Sequence, residues 1–410
     1  MISIVERLKS TGNENFVKVV LKKTLRIIAK YLDTFLIFIL KSFPIDKHCI
    51  VLESEGDYTE SIRVFYDFLL SNKLNEKYKI IWLVHSPKNY KNMHNVQFIS
   101  RYHYCVNFKA DFYLATAKFF IFSHPYWFRN WRKEQIVIHT THSVAQLKGV
   151  NNPIKEKIFD YVLVCSDYCA EIKIKNYPDK YDSILKLGMP RLDLMYQHKE
   201  CLPELVQQYN GEKLILSMAT FKQRKSEIQS DSTYEDKFAI NVVASIEELK
   251  TLDAFLKKNN CIMLVKIHHL QNMDFIKDVS LDNIVYLTDE ELLKKDIQVN
   301  QILENADVLL TDYSSVFYDY LIKNRPIGFM VSDLESYKRG FICENPFDEM
   351  PGEKIYDCEG LLHFIKESLE GKDDYKQERE KIRAKVFDYN DAKNCERLYR
   401  WIEEKIKEGE

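Results

Sequence analysis

From residue 49 onward, short apolar runs alternate with longer stretches whose apolar positions recur at helical spacing. Cys49–Leu52, Ile80–Leu83, Val96–Ile99, Phe119–Ser123, Ile136–His139, Tyr161–Val164 and Ile184–Leu187 read as strands, with helices such as Ser61–Leu70 and Tyr104–Ala115 between them. Strands that are apolar along their length are buried on both faces, which predicts a parallel sheet covered by helices on each side. The turn Gly188-Met189-Pro190-Arg191 closes this series, and a polar helical segment, Pro203–Tyr209, leads into a second one. Its strands are Leu214–Ser217, Ile262–Lys266, Ile284–Tyr286, Val308–Leu310 and Ile327–Phe329. The charged C-terminal segment 376–410 carries a sparse apolar stripe, Ile382, Val386, Leu398, Trp401 and Ile402, and is expected to pack as helices across the domains. The predicted organisation is therefore a helical segment over 1–45, α/β domains over 46–200 and 201–375, and C-terminal helices over 376–410.

Residues 1–45 follow a different pattern. They show no secretory signal, and their apolar run Phe35–Leu40 is far too short to span a bilayer. Lys18, Lys22, Lys23, Arg26, Lys30 and Lys41 flank that run. This is the pattern of a basic amphipathic helix at an anionic membrane surface. The alternative is a helix packed on the protein's own core with its lysines outward.

Composition narrows the class. At 410 residues, 46% hydrophobic and 29% charged, the chain has the make-up of a globular enzyme of two or three domains. Eleven Gly and ten Pro argue against long disordered linkers. A formal net charge of −2 offers no global basic field, so nucleic acid is not an expected partner. Nine cysteines, an odd number without a C-x-x-C pair, sit mostly in apolar contexts and read as buried reduced thiols.

The candidate chemistry collects just after the predicted strands: Ser54–Gly56, His139–Ser143, Gly188–Arg191, Met218–Lys222, His268 and Thr311–Ser315. Ligands of doubly wound sheets bind beyond the carboxyl ends of the strands, so these loops are expected to surround one cavity. The strand Val308–Leu310 delivers Thr311-Asp312-Tyr313-Ser314-Ser315 to the start of an apolar helix, an arrangement suited to a phosphate. The bland alternative is that Asp312 or Ser314 merely caps that helix. His142, in a polar turn at a strand's end, has the placement of a general base. His139 beside it raises the thought of a metal, but no third ligand has useful spacing. His268 is a donor for a diphosphate oxygen. Arg191 suits a phosphate or carboxylate; equally, it pairs with Asp193 to hold a hinge. Arg339 is placed to reach an anion. No D-x-D pair and no Walker-type lysine loop appears, so neither a metal nor another cofactor is expected. Hydroxyls, cationic side chains and helix starts must then stabilise the phosphate charge.

Taken together, these loops resemble the CDP-glycerol glycerophosphotransferases, which build teichoic acids and related capsules. The resemblance rests on Asp307–Tyr320 with its Thr-Asp-Tyr-Ser-Ser element, then Asp333-Leu334 with Tyr337, Arg339-Gly340-Phe341 and Pro351-Gly352. Upstream it includes Glu53-Ser54 with Gly56, Gly188-Met189-Pro190-Arg191-Leu192-Asp193 and Val265-Lys266-Ile267-His268. It covers roughly residues 49–400. The sequence departs from the family at Thr141-His142-Ser143 (usually Trp-His-Gly), at Ala219-Thr220-Phe221-Lys222 (usually Pro-Thr-Trp-Arg) and at His269 (usually Pro). These changes bear on the polyol and the acceptor more than on the reaction class.

The resemblance implies a GT-B-like fold, with an N-terminal acceptor domain and a C-terminal donor domain facing a central cleft, attached peripherally to the cytoplasmic face of the membrane. It implies transfer of glycerol phosphate, or a similar polyol phosphate, from a CDP-linked donor to a lipid-linked acceptor, with CMP released. His142 is then the base, with His268 beside it in the catalytic set. Arg191, Thr220, Thr311, Asp312, Ser314, Ser315 and Arg339 are the donor-binding set. Residues 1–45 would bring the cleft to an anionic membrane, and a homo-oligomer stays open. The competing expectation is a GT-B glycosyltransferase using a nucleotide sugar.

Overall fold

The structure, a computed structural model, describes residues 13–100, 106–124, 131–150, 158–177, 183–206, 213–220, 238–267, 276 and 279–408. The chain divides into two compact units, Met1–Thr140 with Lys157–Val162, and Thr141–Glu156 with Leu163–Glu410.

The first unit opens on the helix Asn13–Leu40. Ala29, Asp33, Ile37 and Leu40 form a buried stripe at helical spacing, and the helix packs against the helix Phe108–Thr116. Its other faces expose Leu25, Ile28, Leu32, Phe35, Phe38 and Ile39, among others. The side chains of Lys18, Lys22, Lys23, Arg26 and Lys30 lie outside the described residues. No helix among the described residues is long and apolar enough to cross a membrane. Asp33 is buried beside Asp111 of the second helix; burial and then that neighbouring carboxylate push its pKa up to about 7.

The strands of the first sheet are β1 (Asp46–Glu53), β2 (Lys79–Val84), β3 (Val96–Ser100), β4 (Ala117–Phe122), β5 (Ile136–His139), β6 (Tyr161–Val164) and β7 (Ile184–Lys186). Their order is β3-β2-β1-β4-β5-β6-β7. β1 pairs in parallel with β2 and β4, β4 with β5, and β5 with β6. The boundary between the units falls within β6.

The sheet of the second unit comprises β8 (Lys213–Met218), β9 (Cys261–Lys266), β10 (Ile284–Leu287), β11 (Val308–Thr311), β12 (Ile327–Met330) and β13 (Glu353–Ile355). It is parallel throughout, in the order β10-β9-β8-β11-β12-β13. Every strand expected from the apolar runs is present. β13 is an addition: Glu353-Lys354-Ile355 has no apolar run, and backbone pairing with β12 recruits it to the edge. Both sheets are doubly wound, and their strand order reverses between β1 and β4 and between β8 and β11. Such reversals splay the connecting loops apart and open a crevice at the carboxyl ends.

The C-terminal segment forms two helices, Lys376–Val386 and Asn394–Lys407. The first packs on the helix Asp167–Asn176. The second is seated by Asp193, whose carboxylate accepts from the Asn394 and Cys395 N–H groups, each at 2.9 Å, and from Asn394 Nδ2 at 2.7 Å. A carboxylate at a helix start meets unsatisfied N–H groups and the positive end of the dipole. Gly188 makes this approach possible: a Cβ there would lie 1.8 Å from Asn394 Oδ1, and its φ of +77° already favours glycine. Of the expected polar helix Pro203–Tyr209, Leu202–Leu205 is helical, and residues 207–209 lie outside the described residues.

Candidate active site

The reversal in the second sheet lies where β8 and β11 pair, with Thr311 opposite Met218. Thr311 is fully buried, and its Oγ1 donates to the Met218 carbonyl at 2.7 Å. Asp312 follows, also buried. Its Oδ1 accepts from Thr220 N and Thr220 Oγ1, each at 2.8 Å, and from Ser314 N at 3.0 Å; Asn241 Nδ2 reaches Oδ2 at 3.3 Å. An aspartate that accepts from the N–H two residues on makes an Asx turn, which bends the chain sharply. Ser314 and Ser315 emerge half-buried from that bend.

Ser315 is the N-cap of the short helix Val316–Tyr320 and makes no side-chain cap bond. Asp312 bonds Ser314 N rather than a first-turn amide of the helix. Holding the turn, not capping, is therefore what the Asp312 carboxylate does here. Tyr313 is fully buried; its hydroxyl lies 3.2 Å from Asp333 Oδ1, and its ring packs on Tyr337 and Phe341 with centroids 4.7 and 5.1 Å away. Burial, with Asp333 and Asp312 adding, pushes the phenol well above its usual range, so it stays protonated. The downstream motif residues Asp333, Tyr337 and Phe341 thus serve as a wall behind the turn.

His139 and His142 part company. His139 is a core residue: its ring stacks on Phe122 at 4.8 Å, with Nε2 3.2 Å from the Ser123 carbonyl. His142 is exposed. Thr141 before it takes φ +52°, a left-handed conformation rare for a β-branched residue, and its Oγ1 donates to the Ser143 carbonyl at 2.9 Å. Strain held in place by side-chain bonds is a recurrent mark of functional turns. Ser143 Oγ in turn accepts from the buried Lys173 Nζ at 3.0 Å. Val144, Ala145 and Leu147 then anchor the loop in the core of the second unit.

The far end of this loop is sewn to residues 339–342. Gly149 N donates to the Gly340 carbonyl at 2.8 Å, Ile342 N to the Leu147 carbonyl at 2.9 Å, and Arg339 Nε to the Gly149 carbonyl at 2.9 Å. Any Cβ at position 149 would lie 2.6 Å from the Arg339 carbonyl, so only glycine permits this approach. Lys148 Nζ donates to Thr220 Oγ1 at 2.7 Å. A continuous chain of hydrogen bonds therefore runs from Lys148 through Thr220 and Asp312 to Ser314.

The structure thus joins the His142 loop, Thr220, the 311–315 turn and Arg339 within one unit. Arg191 is placed elsewhere. It forms a buried bidentate pair with Asp319, Nε to Oδ2 at 2.7 Å and Nη2 to Oδ1 at 3.1 Å, and not with Asp193. His268, with its neighbour His269, lies outside the described residues. Among the described residues no group of three or more His, Cys, Asp or Glu is arranged to hold a metal. Lys148, Lys173 and Asn241 were not apparent from the sequence. For Asn241 a signal exists, an amide inside the apolar run Ala239–Val243; for the two lysines there is none.

The architecture is that of parallel α/β proteins with a hydroxyl-bearing turn at the switch point of the second sheet, and the match to known proteins supplies the class, a transferase. The chain belongs to the CDP-glycerol:poly(glycerophosphate) glycerophosphotransferase family, whose model matches residues 35–404. It is 25% identical over 373 residues to the teichoic acid poly(glycerol phosphate) polymerase of Bacillus spizizenii, covering 82% of this chain and 87% of that one. It is 30% identical over 218 residues to the teichoic acid glycerol-phosphate primase of Bacillus subtilis, covering 50% of this chain and 49% of that one. The solved structure of the wall teichoic acid polymerase TagF has the same fold, with a TM-score of 0.72 at 19% identity over 97% of this chain and all of that one.

Proposed function

We propose that this protein transfers glycerol phosphate from CDP-glycerol to a hydroxyl of a lipid-linked acceptor in teichoic acid synthesis, releasing CMP. The observation that carries this reading is the hydrogen-bonded chain Lys148–Thr220–Asp312–Ser314. It holds the hydroxyl-bearing turn and the His142 loop as one piece, so that a phosphate and a base have fixed places. Ser314, Ser315 and Arg339 bind the donor diphosphate, joined by His268. Thr311, Thr220 and Asp312 brace that pocket from behind. His142 accepts the proton of the acceptor hydroxyl as its oxygen attacks the β-phosphorus in line. The bond from that phosphorus to the bridging oxygen breaks, and CMP departs with the oxygen. Incubation with CDP-glycerol, CDP-ribitol or nucleotide sugars and a lipid-linked acceptor is the direct test. Release of free CMP, with the acceptor gaining glycerol-phosphate mass increments by mass spectrometry, is the expected result. Release of UDP or GDP would instead establish sugar transfer.

The helix Asn13–Leu40 gives the enzyme a way to reach such an acceptor. Its packing uses one narrow stripe, while Phe35, Phe38 and their apolar neighbours face outward. Seated at the cytoplasmic face of the membrane, these side chains enter the acyl boundary and nearby lysines meet anionic headgroups. Each large apolar side chain buried contributes about 1.5–3 kcal/mol. Replacing both Phe35 and Phe38 by serine is therefore expected to lower binding to phosphatidylglycerol vesicles by at least about tenfold. Unchanged co-sedimentation would discard this role for the helix.

A further inference from the structure

We propose that Lys173 is a positioning residue for His142, acting through Ser143. This rests on the reading of His142 as the base. Lys173 sits on the helix Asp167–Asn176, only 3% exposed, and its ammonium donates to Ser143 Oγ at 3.0 Å. Ser143 is the residue directly after His142. The same Ser143 accepts from Thr141 Oγ1 through its carbonyl, and Thr141 is held at φ +52°. The imidazole is thus carried between two residues that are each pinned, one by strain and a local bond, the other by a buried cation.

A buried lysine is a demanding choice for a mere brace, because desolvation disfavours its charge. The groups around it are Cys169 one turn earlier on its own helix, Cys165 at the end of β6, and Arg191, itself neutralised by Asp319. Burial is the dominant influence and Arg191 adds to it; the two thiols oppose them, and the ammonium's pKa falls to about 8. Below that pH the hydrogen bond to Ser143 is charge-assisted; above it the bond is between neutral groups and weaker. Turnover of the intact protein is therefore expected to decline on the alkaline side with a midpoint near this value.

The test is the pH profile of Lys173→Met alongside Ser143→Ala, the double variant and His142→Ala, with CMP release as the assay. Misplacing a reacting group by about 1 Å costs on the order of 100-fold in rate, so Lys173→Met is expected to lose roughly 10- to 100-fold in kcat with the donor KM nearly unchanged. Its alkaline limb near pH 8 should vanish. Ser143→Ala should show a similar loss, and the double variant no further loss. A purely structural lysine would lower the amount of folded enzyme but leave the profile of the remainder intact. Wild-type kcat in Lys173→Met, a retained alkaline limb, or multiplying losses would overturn the inference. Should Lys173→Met not fold, Ser143→Ala decides alone: normal kcat overturns the proposal and a matching loss supports it. Full activity in His142→Ala would instead defeat the underlying reading of the base.

Discussion

His142→Ala is expected to lower kcat by a factor on the order of 10²–10⁴ while leaving CDP-glycerol binding close to normal, the usual effect of losing a general base. The loop has fixed points other than the imidazole. Its fixed points are the Thr141–Ser143 bond, the Lys173–Ser143 bond, the buried Val144, Ala145 and Leu147, and the Gly149–Gly340 backbone contact. The exposed side chain of residue 142 adds little to packing, so the variant should fold and melt like the parent. The loss should then fall on kcat and not on KM, because the proposed donor contacts, Ser314, Ser315 and Arg339, are untouched by the substitution. Single-turnover CMP release and calorimetric titration with CDP-glycerol separate the two. Near-normal turnover by the folded variant would remove His142 from the chemistry.

Arg191→Met is expected to destabilise the protein by about 3–5 kcal/mol, the effect of stranding one member of a buried ion pair. Both side chains of the Arg191–Asp319 pair are 6% exposed. With the guanidinium gone, the Asp319 carboxylate is left to Asn300 Nδ2, which donates to its Oδ2 at 3.0 Å. Asp319 lies in the helix that directly follows Ser314 and Ser315, so loss of the pair loosens the turn as well. The double variant Arg191→Met/Asp319→Leu removes both charges together and is expected to recover most of that stability. Urea denaturation of the three proteins measures this. The double variant also bears on function. If it folds and turns over, Arg191 serves the scaffold and is not needed as a donor ligand. A single variant as stable as the parent would show that the pair contributes nothing.

The motif residues of the sequence prove to have two kinds of work. Thr311 and Asp312 look like ligand-binding groups when read along the chain. In the fold both are buried, and their polar atoms turn inward to Met218, Thr220 and Asn241. Ser314 and Ser315, beyond the bend, are the ones left accessible. A strand-end hydroxyl and a turn hydroxyl cannot be told apart by spacing, because which way the chain bends depends on partners about ninety residues upstream.

What the sequence by itself determined is the architecture. Uniformly apolar strands and amphipathic helices specify two doubly wound parallel sheets, since burial on both faces leaves each strand no polar side to show. The strand ends, and with them His142, Thr220 and the 311–315 turn, follow from that periodicity. The tertiary structure decided which side chains meet. Arg191 chose Asp319, 128 positions away, over Asp193 two positions on, because Asp193 is spent on the helix start at Asn394. Lys148 and Lys173 acquired partners, Thr220 and Ser143, that no local pattern announces. Periodicity is a property of neighbours along the chain, whereas a hydrogen bond between distant side chains exists only once the sheets have brought their loops together.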